Sequence, residues 1–209
     1  MNKSNKIVLT GFEPFNSDNY NPSQAVAEAL DQTKIRGFKV KSYLLPVNTN
    51  TAPSQLAEIL AAEQPAALVS LGLAWGREGI SLERVAINLK DWGEPDNAGQ
   101  VKIDEPIDPA GPTAYLATLP LRLIKANLNR ENISANLSST AGLYLCNQIM
   151  YCGLWLAATQ YQSMLSGFIH LPATPEMALV IGRAIPPTLA LNVQVQAIEI
   201  ALNSIVETI

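Results

Sequence analysis

Short apolar runs and helical periodicities alternate from one end of the chain to the other. KIVLTGF (Lys6–Phe12) is almost continuously apolar, the pattern of a strand covered on both faces. The next segment, NPSQAVAEALDQT, opens with Asn21, Pro22 and Ser23, an N-cap and first-turn signature that predicts a helix. FKVKSYLLPV (Phe38–Val47) and AALVSLGLA (Ala66–Ala74) read as strands on either side of a helix over TAPSQLAEILAAEQ (Thr51–Gln64). ISLERVAINL (Ile80–Leu89) reads as one further strand. Behind it lies a turn-rich stretch from Asp91 to Pro112, too long to be an idle connection. The pattern then gives a helix over LPLRLIKANLNREN (Leu119–Asn132), a strand over SANLSST (Ser134–Thr140), a helix over CNQIMYCGLWLAATQY (Cys146–Tyr161) and a strand over SGFIHLP (Ser166–Pro172). From Val195 onward Ile198, Leu202, Ile205 and Ile209 share one helical face.

Strands alternating with amphipathic helices predict an α/β fold, a single-domain three-layer α/β/α sandwich around a mostly parallel, mixed central sheet. A chain of 209 residues, 48% hydrophobic and 15% charged, suits one domain over residues 1–209. A net charge of −4 without a basic cluster argues against nucleic acid as a partner. The longest apolar stretch, IMYCGLWLAA, falls short of the ~18 residues of a membrane span, and the N-terminal apolar run ends too soon for a leader. Two cysteines make no disulfide framework, and no His/Cys/Asp group has metal-ligand spacing. The expectation is a cytoplasmic protein without membrane contact, metal or other cofactor.

Candidate chemistry concentrates in TAGLYLCNQIMYCGLW (Thr140–Trp155), which holds both cysteines. Cys146 falls at the start of the predicted helix, after a turn containing Gly142, where orphan N–H groups and the helix dipole favour an anion. That position predicts a thiol shifted toward thiolate. Cys152, nearly two turns further in and flanked by Tyr151, Leu154 and Trp155, reads as a packed core thiol. A cysteine nucleophile needs a base, and the chain has one histidine, His170, at the end of a predicted strand. A carboxylate to orient the imidazole is offered by Glu83, whose bland alternative is a solvated pair with Arg84, and by Asp96, which sits in turn chemistry.

Several blocks resemble the pyrrolidone carboxyl peptidases, or pyroglutamyl peptidases type I. They are LTGFEPF (Leu9–Phe15), NPS (Asn21–Ser23), ERVAINL (Glu83–Leu89), PDNAG (Pro95–Gly99), GPTAY (Gly111–Tyr115), AGLYLCN (Ala141–Asn147) and GFIHLPATPE (Gly167–Glu176). They keep their order and spacing from residue 7 to about residue 178. The resemblance implies an α/β/α sandwich and a cysteine peptidase removing N-terminal pyroglutamate from peptides. Cys146 would be the nucleophile, His170 the general base and later acid, and Glu83 the group orienting His170. Phe12 and Phe15, with Tyr144 of the AGLYLCN block, would line the substrate pocket. Prokaryotic members commonly form homotetramers, which implies a homo-oligomer, tetramer or dimer.

Three departures from the family pattern stand out. The usual GFxPFGG becomes GFEPFNSD, Gly93 occupies a place where an arginine is common, and PATPEM replaces PYIPEQ after His170. The first two motivate an alternative, a catalytically weakened member that binds blocked peptides without efficient turnover. A nucleoside phosphorylase-like protein would instead need a phosphate loop, for which GLAWGREG (Gly72–Gly79) has the wrong glycine spacing.

Overall fold

The computed structural model describes residues 4–15, 19–178 and 187–209. In chain order the elements are β1 (Lys6–Phe12), α1 (Pro22–Leu30), β2 (Lys34–Ile35), β3 (Phe38–Leu45), α2 (Thr51–Glu63) and β4 (Ala67–Leu73). Next come β5 (Ile80–Glu83), β6 (Val85–Ile87), β7 (Lys90–Trp92), β8 (Lys102–Glu105) and β9 (Ala114–Leu116). The remainder of the chain holds α3 (Leu121–Arg130), β10 (Ala135–Ser138), α4 (Leu145–Thr159), β11 (Leu165–Leu171), the short α5 (Pro175–Ala178) and α6 (Leu191–Val206).

A seven-stranded sheet runs β10-β5-β11-β4-β1-β3-β2. Its centre, β11-β4-β1-β3, is parallel, while β5 is antiparallel to β11 and β2 to β3. Side-chain alternation divides each central strand between two cores. Ile7 and Leu9 of β1 and Val69 and Leu71 of β4 face α1, α3 and α6 in one core. Val8, Phe12 and Leu68 face α2 and α4 in the other. Coverage on both faces explains why these strands read as unbroken apolar runs. The expected three-layer architecture is therefore present.

Local signals account for the helix starts. Asn21 caps α1 by accepting from the Ser23 N–H at 3.0 Å, and Pro22 fills the first helical position. In α6 Ile198, Leu202 and Ile205 are fully buried, but the helix begins at Leu191, four residues before the stretch predicted from Val195. There the buried Gln194 donates to the carbonyls of Pro172 and Leu189, so a polar residue serves the inner face.

Three expectations are corrected. ISLERVAINL is two strands, because the backbone leaves the main sheet at Arg84. Its N–H still bonds Ser138 of β10, whereas its carbonyl accepts from Ala117, and β6 pairs with β9 in a separate ribbon. The stretch from Asp91 to Pro112 is no bare loop, for β7 and β8 pair as an antiparallel ribbon within it and Asn88 bonds Ile107, Asp108 and Gly111. The strand read over SANLSST ahead of the Gly142 turn is the shorter β10, and it runs with β5 and so against β11 and β4. The turn after β10 must therefore double back before α4 begins.

Candidate active site

The doubling-back turn sets the first piece of the site. Gly142 adopts φ +77°, in the left-handed region that glycine enters without cost, and α4 then starts at Leu145. Cys146 is the second residue of α4, and no side-chain cap takes up the first-turn N–H groups, which stay available to an anion. Asn147 fastens this helix start to the ERVAINL segment, bonding the Ile87 N–H and the carbonyls of Ile87 and Leu89 at 2.9–3.0 Å.

The second piece is the carboxyl end of β4 and β11. His170 of β11 pairs in register with Gly72 of β4. A Cβ built on Gly72 would lie 2.9 Å from the Cys146 sulfur and 2.8 Å from Phe168 Cζ. The thiol therefore rests over the strand position beside the histidine, in space that only glycine leaves open. On the other side of β11, Glu83 pairs with Phe168 across the antiparallel ladder, and its carboxylate reaches His170. His170 Nδ1 lies 2.8 Å from Glu83 Oε1, so the carboxylate accepts the Nδ1 proton and leaves Nε2 bare. The ring of Phe168 backs the imidazole at 4.8 Å between centroids. Cys146, His170 and Glu83, distant in sequence, are thus gathered in one place.

The electrostatics differ from the expectation for a helix N-terminus. Burial, then the Glu83 charge, push the Cys146 thiol up to about 12, against the opposing pull of Arg77 and the thiol's own backbone N–H. Burial also lowers the His170 pKa, outweighing the upward pull of Glu83. Both shifts favour a thiol beside a neutral imidazole over the thiolate predicted from the helix start. Cys152 is likewise pushed up to about 12, chiefly by burial, but it lies only partly buried against the α2/α4 core and not wholly within it.

Glu83 is fully buried and pairs with Arg77 at 2.6 Å, while Arg84 is exposed. The solvated Glu83–Arg84 pair is therefore ruled out. Asp96 is buried too, but it serves its turn: Oδ2 accepts from the Thr49 N–H, and Oδ1 from those of Ala98 and Gln100, at 2.8–2.9 Å.

Beside Cys146 lies a pocket walled by Phe12, Phe15, Val47, Leu73 and Tyr144, together with Tyr20 and Asn21. Tyr144 stacks obliquely on Phe15 at 5.3 Å and meets Trp92 edge-on at 4.9 Å, so one aromatic cluster stiffens the wall. Burial, followed by the nearby Asp96 charge, raises the Tyr144 phenol strongly and keeps it neutral. Polar ties hold the loops in register. Glu13 Oε1 accepts from the Val47 N–H and Asn97 Nδ2, and Gln148 bonds both the hydroxyl and the carbonyl of Thr49. The FNSD departure falls on Asn16–Asp18, outside the described residues. Gly93 is exposed, and a Cβ added there would meet nothing within 4 Å.

Sequence reasoning does not find Arg77, Glu13 or Gln148. A signal for Arg77 exists, a cation in the glycine turn six residues before Glu83, but the adjacent Arg84 masks it. The GLAWGREG segment is that turn, with the Ala74 N–H bonded to Leu171 and the Arg77 N–H to Ala74. Among the described residues no three His, Cys, Asp or Glu side chains group as metal ligands, and no helix is long and apolar enough to cross a membrane.

Comparison with known proteins is consistent along the chain. The sequence profile of the family described as pyroglutamyl peptidase matches residues 5–208. A pyrrolidone-carboxylate peptidase of Pyrococcus furiosus is 40% identical over 204 residues, 97% of this chain and 98% of the relative. One from Deinococcus radiodurans is 42% identical over 183 residues, 87% and 84% of the two chains. Among solved structures, a variant of the Pyrococcus furiosus pyrrolidone carboxyl peptidase superposes with a TM-score of 0.94 at 39% identity, covering 97% of this chain and 98% of that one. Pyroglutamyl peptidase I of Bacillus amyloliquefaciens gives 0.93 at 33% identity, covering 97% of each chain.

Proposed function

The chain belongs to the pyroglutamyl peptidase family of cysteine peptidases, and from that premise we propose that it removes N-terminal pyroglutamate from peptides through a Cys146–His170–Glu83 triad. The observation that carries the triad is the meeting of three distant residues: the Cys146 sulfur over Gly72, His170 beside Gly72 in register, and Glu83 on the Nδ1 of His170.

The substrate class follows from the wall. Pyroglutamate is a small neutral lactam without a free amine, so its pocket needs apolar surface and no carboxylate for an ammonium. Phe12, Phe15, Val47 and Tyr144 supply flat apolar faces. The reaction follows from the resting protonation. As Cys146 Sγ attacks the scissile carbonyl carbon, its proton passes to Nε2 of the neutral His170, and a C–S bond forms. The imidazolium that results is stabilised by Glu83. The oxyanion is received by backbone N–H groups at the start of α4. Collapse breaks the C–N bond, and the leaving amine takes the proton from His170. Water, deprotonated by the same nitrogen, then hydrolyses the thioester and frees pyroglutamate.

The reading extends to a cytoplasmic homo-oligomer, tetramer or dimer. Its support in this chain is Val101 and Ile103, exposed on and beside β8, apolar side chains of the kind that subunit contacts cover.

The test is release of a fluorescent amine from its pyroglutamyl amide, with Cys146→Ser, Cys152→Ser and iodoacetamide-treated protein in parallel. Activity abolished by Cys146→Ser and by alkylation, and kept by Cys152→Ser, is the expected result. A folded, reduced wild-type protein that binds the amide without releasing amine would instead establish the weakened, binding-only reading.

A further inference from the structure

The turn after β4 sends one cation back into the site. Gly76 takes φ +86°, the Arg77 N–H closes on the Ala74 carbonyl, and the Arg77 side chain turns inward. Its Nη1 donates to Glu83 Oε1 at 2.6 Å and to Ser138 Oγ at 3.2 Å, and its Nη2 donates to the Thr140 carbonyl at 2.9 Å. The Glu83 oxygen that takes Arg77 also takes His170 Nδ1, whereas Glu83 Oε2 has no partner.

We propose that Arg77 is a positioning residue of the hydrolytic reaction, one guanidinium that fixes Glu83 against His170 and at the same time anchors the turn that delivers Cys146. The inference rests on the peptidase reading above. Three arguments carry it. A carboxylate with no exposure needs a counter-charge and donors. Besides His170, Arg77 is the group that pairs with it among the described residues. Both strong donors bear on one oxygen, so the carboxylate is oriented toward the imidazole by Arg77 as well as by the histidine it serves. Finally, Ser138 and Thr140 belong to the doubling-back segment between β10 and α4, and the planar fork of arginine spans them and Glu83 together, which a lysine ammonium cannot do.

The charge matters as well as the shape. The charged and titratable groups facing the Cys146 thiol are Glu83 from β5, Arg77 from the β4–β5 turn, the His170 imidazole from β11 and the phenol of Tyr144. Those facing His170 are Glu83, Arg77 and the Cys146 thiol itself. At both groups Arg77 acts downward while Glu83 acts upward. Loss of the arginine charge therefore raises both the thiol and the imidazole.

Arg77→Met and Arg77→Lys, each in a Cys152→Ser background, test this. Turnover of the pyroglutamyl amide is followed against pH, and Cys146 alkylation by iodoacetamide at a fixed mildly alkaline pH. For Arg77→Met the expected result is a kcat lower by roughly 10–100-fold with KM held within about twofold. Its acid limb should move up by roughly one pH unit, and alkylation should slow by about tenfold. Arg77→Lys should return the pH limb toward wild type yet recover only part of kcat, since the tie to Thr140 is lost. An Arg77→Met enzyme with the wild-type acid limb and alkylation rate, and a kcat loss matching only its unfolded fraction, overturns the proposal. Alkylation needs no turnover, so an inactive wild type would sink the peptidase reading while leaving the Arg77 measurement standing.

Discussion

Gly72→Ala is the most informative single change in this molecule. The new Cβ would stand 2.8 Å from Phe168 Cζ, 3.1 Å from its Cε1 and 2.9 Å from the Cys146 sulfur. Non-bonded heavy atoms settle at ~3.5–4.0 Å, so ring and sulfur must each retreat by about 0.6–1.2 Å. Phe168 is fully buried and lies against the His170 ring, so it has no slack toward solvent. Overpacking of this kind costs about 1–3 kcal/mol, which for a chain of this size lowers Tm by roughly 2–12 °C. A displacement near 1 Å at a reacting atom costs about 10²-fold in rate. The displaced sulfur is the attacking atom and also lines the pocket with Phe12 and Leu73, so kcat should collapse whatever change KM shows. Amide hydrolysis and thermal melting, run on the same preparations, read both quantities. Gly93→Ala, in open space, is the matched control and should melt with wild type. A Gly72→Ala enzyme with kcat within about threefold of wild type would refute the placement of the sulfur over β4, because that contact leaves no room for a methyl group.

Two further outcomes follow from the same geometry. Asp96→Ala strips the acceptor from three backbone N–H groups and should cost about 2 kcal/mol or more, with KM rising more than kcat falls, since the loop of Thr49 and not the triad loses its tie; a urea melt with steady-state kinetics checks this. For His170 burial is the larger influence and lowers the folded-state pKa below the ordinary imidazole value. Its stabilising contribution is therefore complete above about pH 6.5 and is lost as pH falls from there toward the folded-state value, because the unfolded chain takes a proton that the native site refuses. His170→Asn should flatten the urea-midpoint profile between about pH 7 and 5.5, and an unchanged slope would contradict the assignment.

The sequence made the layers legible because they depend on periodicity. The central strands announce themselves as apolar runs, and Asn21-Pro22 marks a helix start without tertiary help. Two of the three proposed triad residues were legible because their chemistry is scarce in this chain: one histidine, and one cysteine of two at a helix start; the residues themselves left Glu83 open against Asp96, and only the family resemblance favoured it. What stayed hidden depends on direction and distance. Nothing local to SANLSST tells that β10 opposes β11, and nothing in ISLERVAINL marks Arg84 as the point of departure, since the neighbour that draws it away, β9, comes some thirty positions later. The thiol illustrates a competition of magnitudes. A helix start favours the anion, but burial and the Glu83 charge outweigh it, and both arise from segments folded in from elsewhere. Arg77 was obscured by sequence proximity, which favoured Arg84 as the partner of Glu83.

The ties that hold the site together span most of the chain. His170 meets Glu83 across 87 positions, Gln148 meets Thr49 across 99, and Asn97 meets Glu13 across 84. Contacts of such separation close late, after the intervening loops have met their entropic cost. A nascent chain still lacking β11 has both partners of the Gln148–Thr49 and Asn97–Glu13 ties, and the thiol, but not the imidazole. With the proposed triad, catalysis is withheld until synthesis has passed His170, and activity recovered during refolding would report the docking of β11 between β4 and β5, not the first appearance of secondary structure.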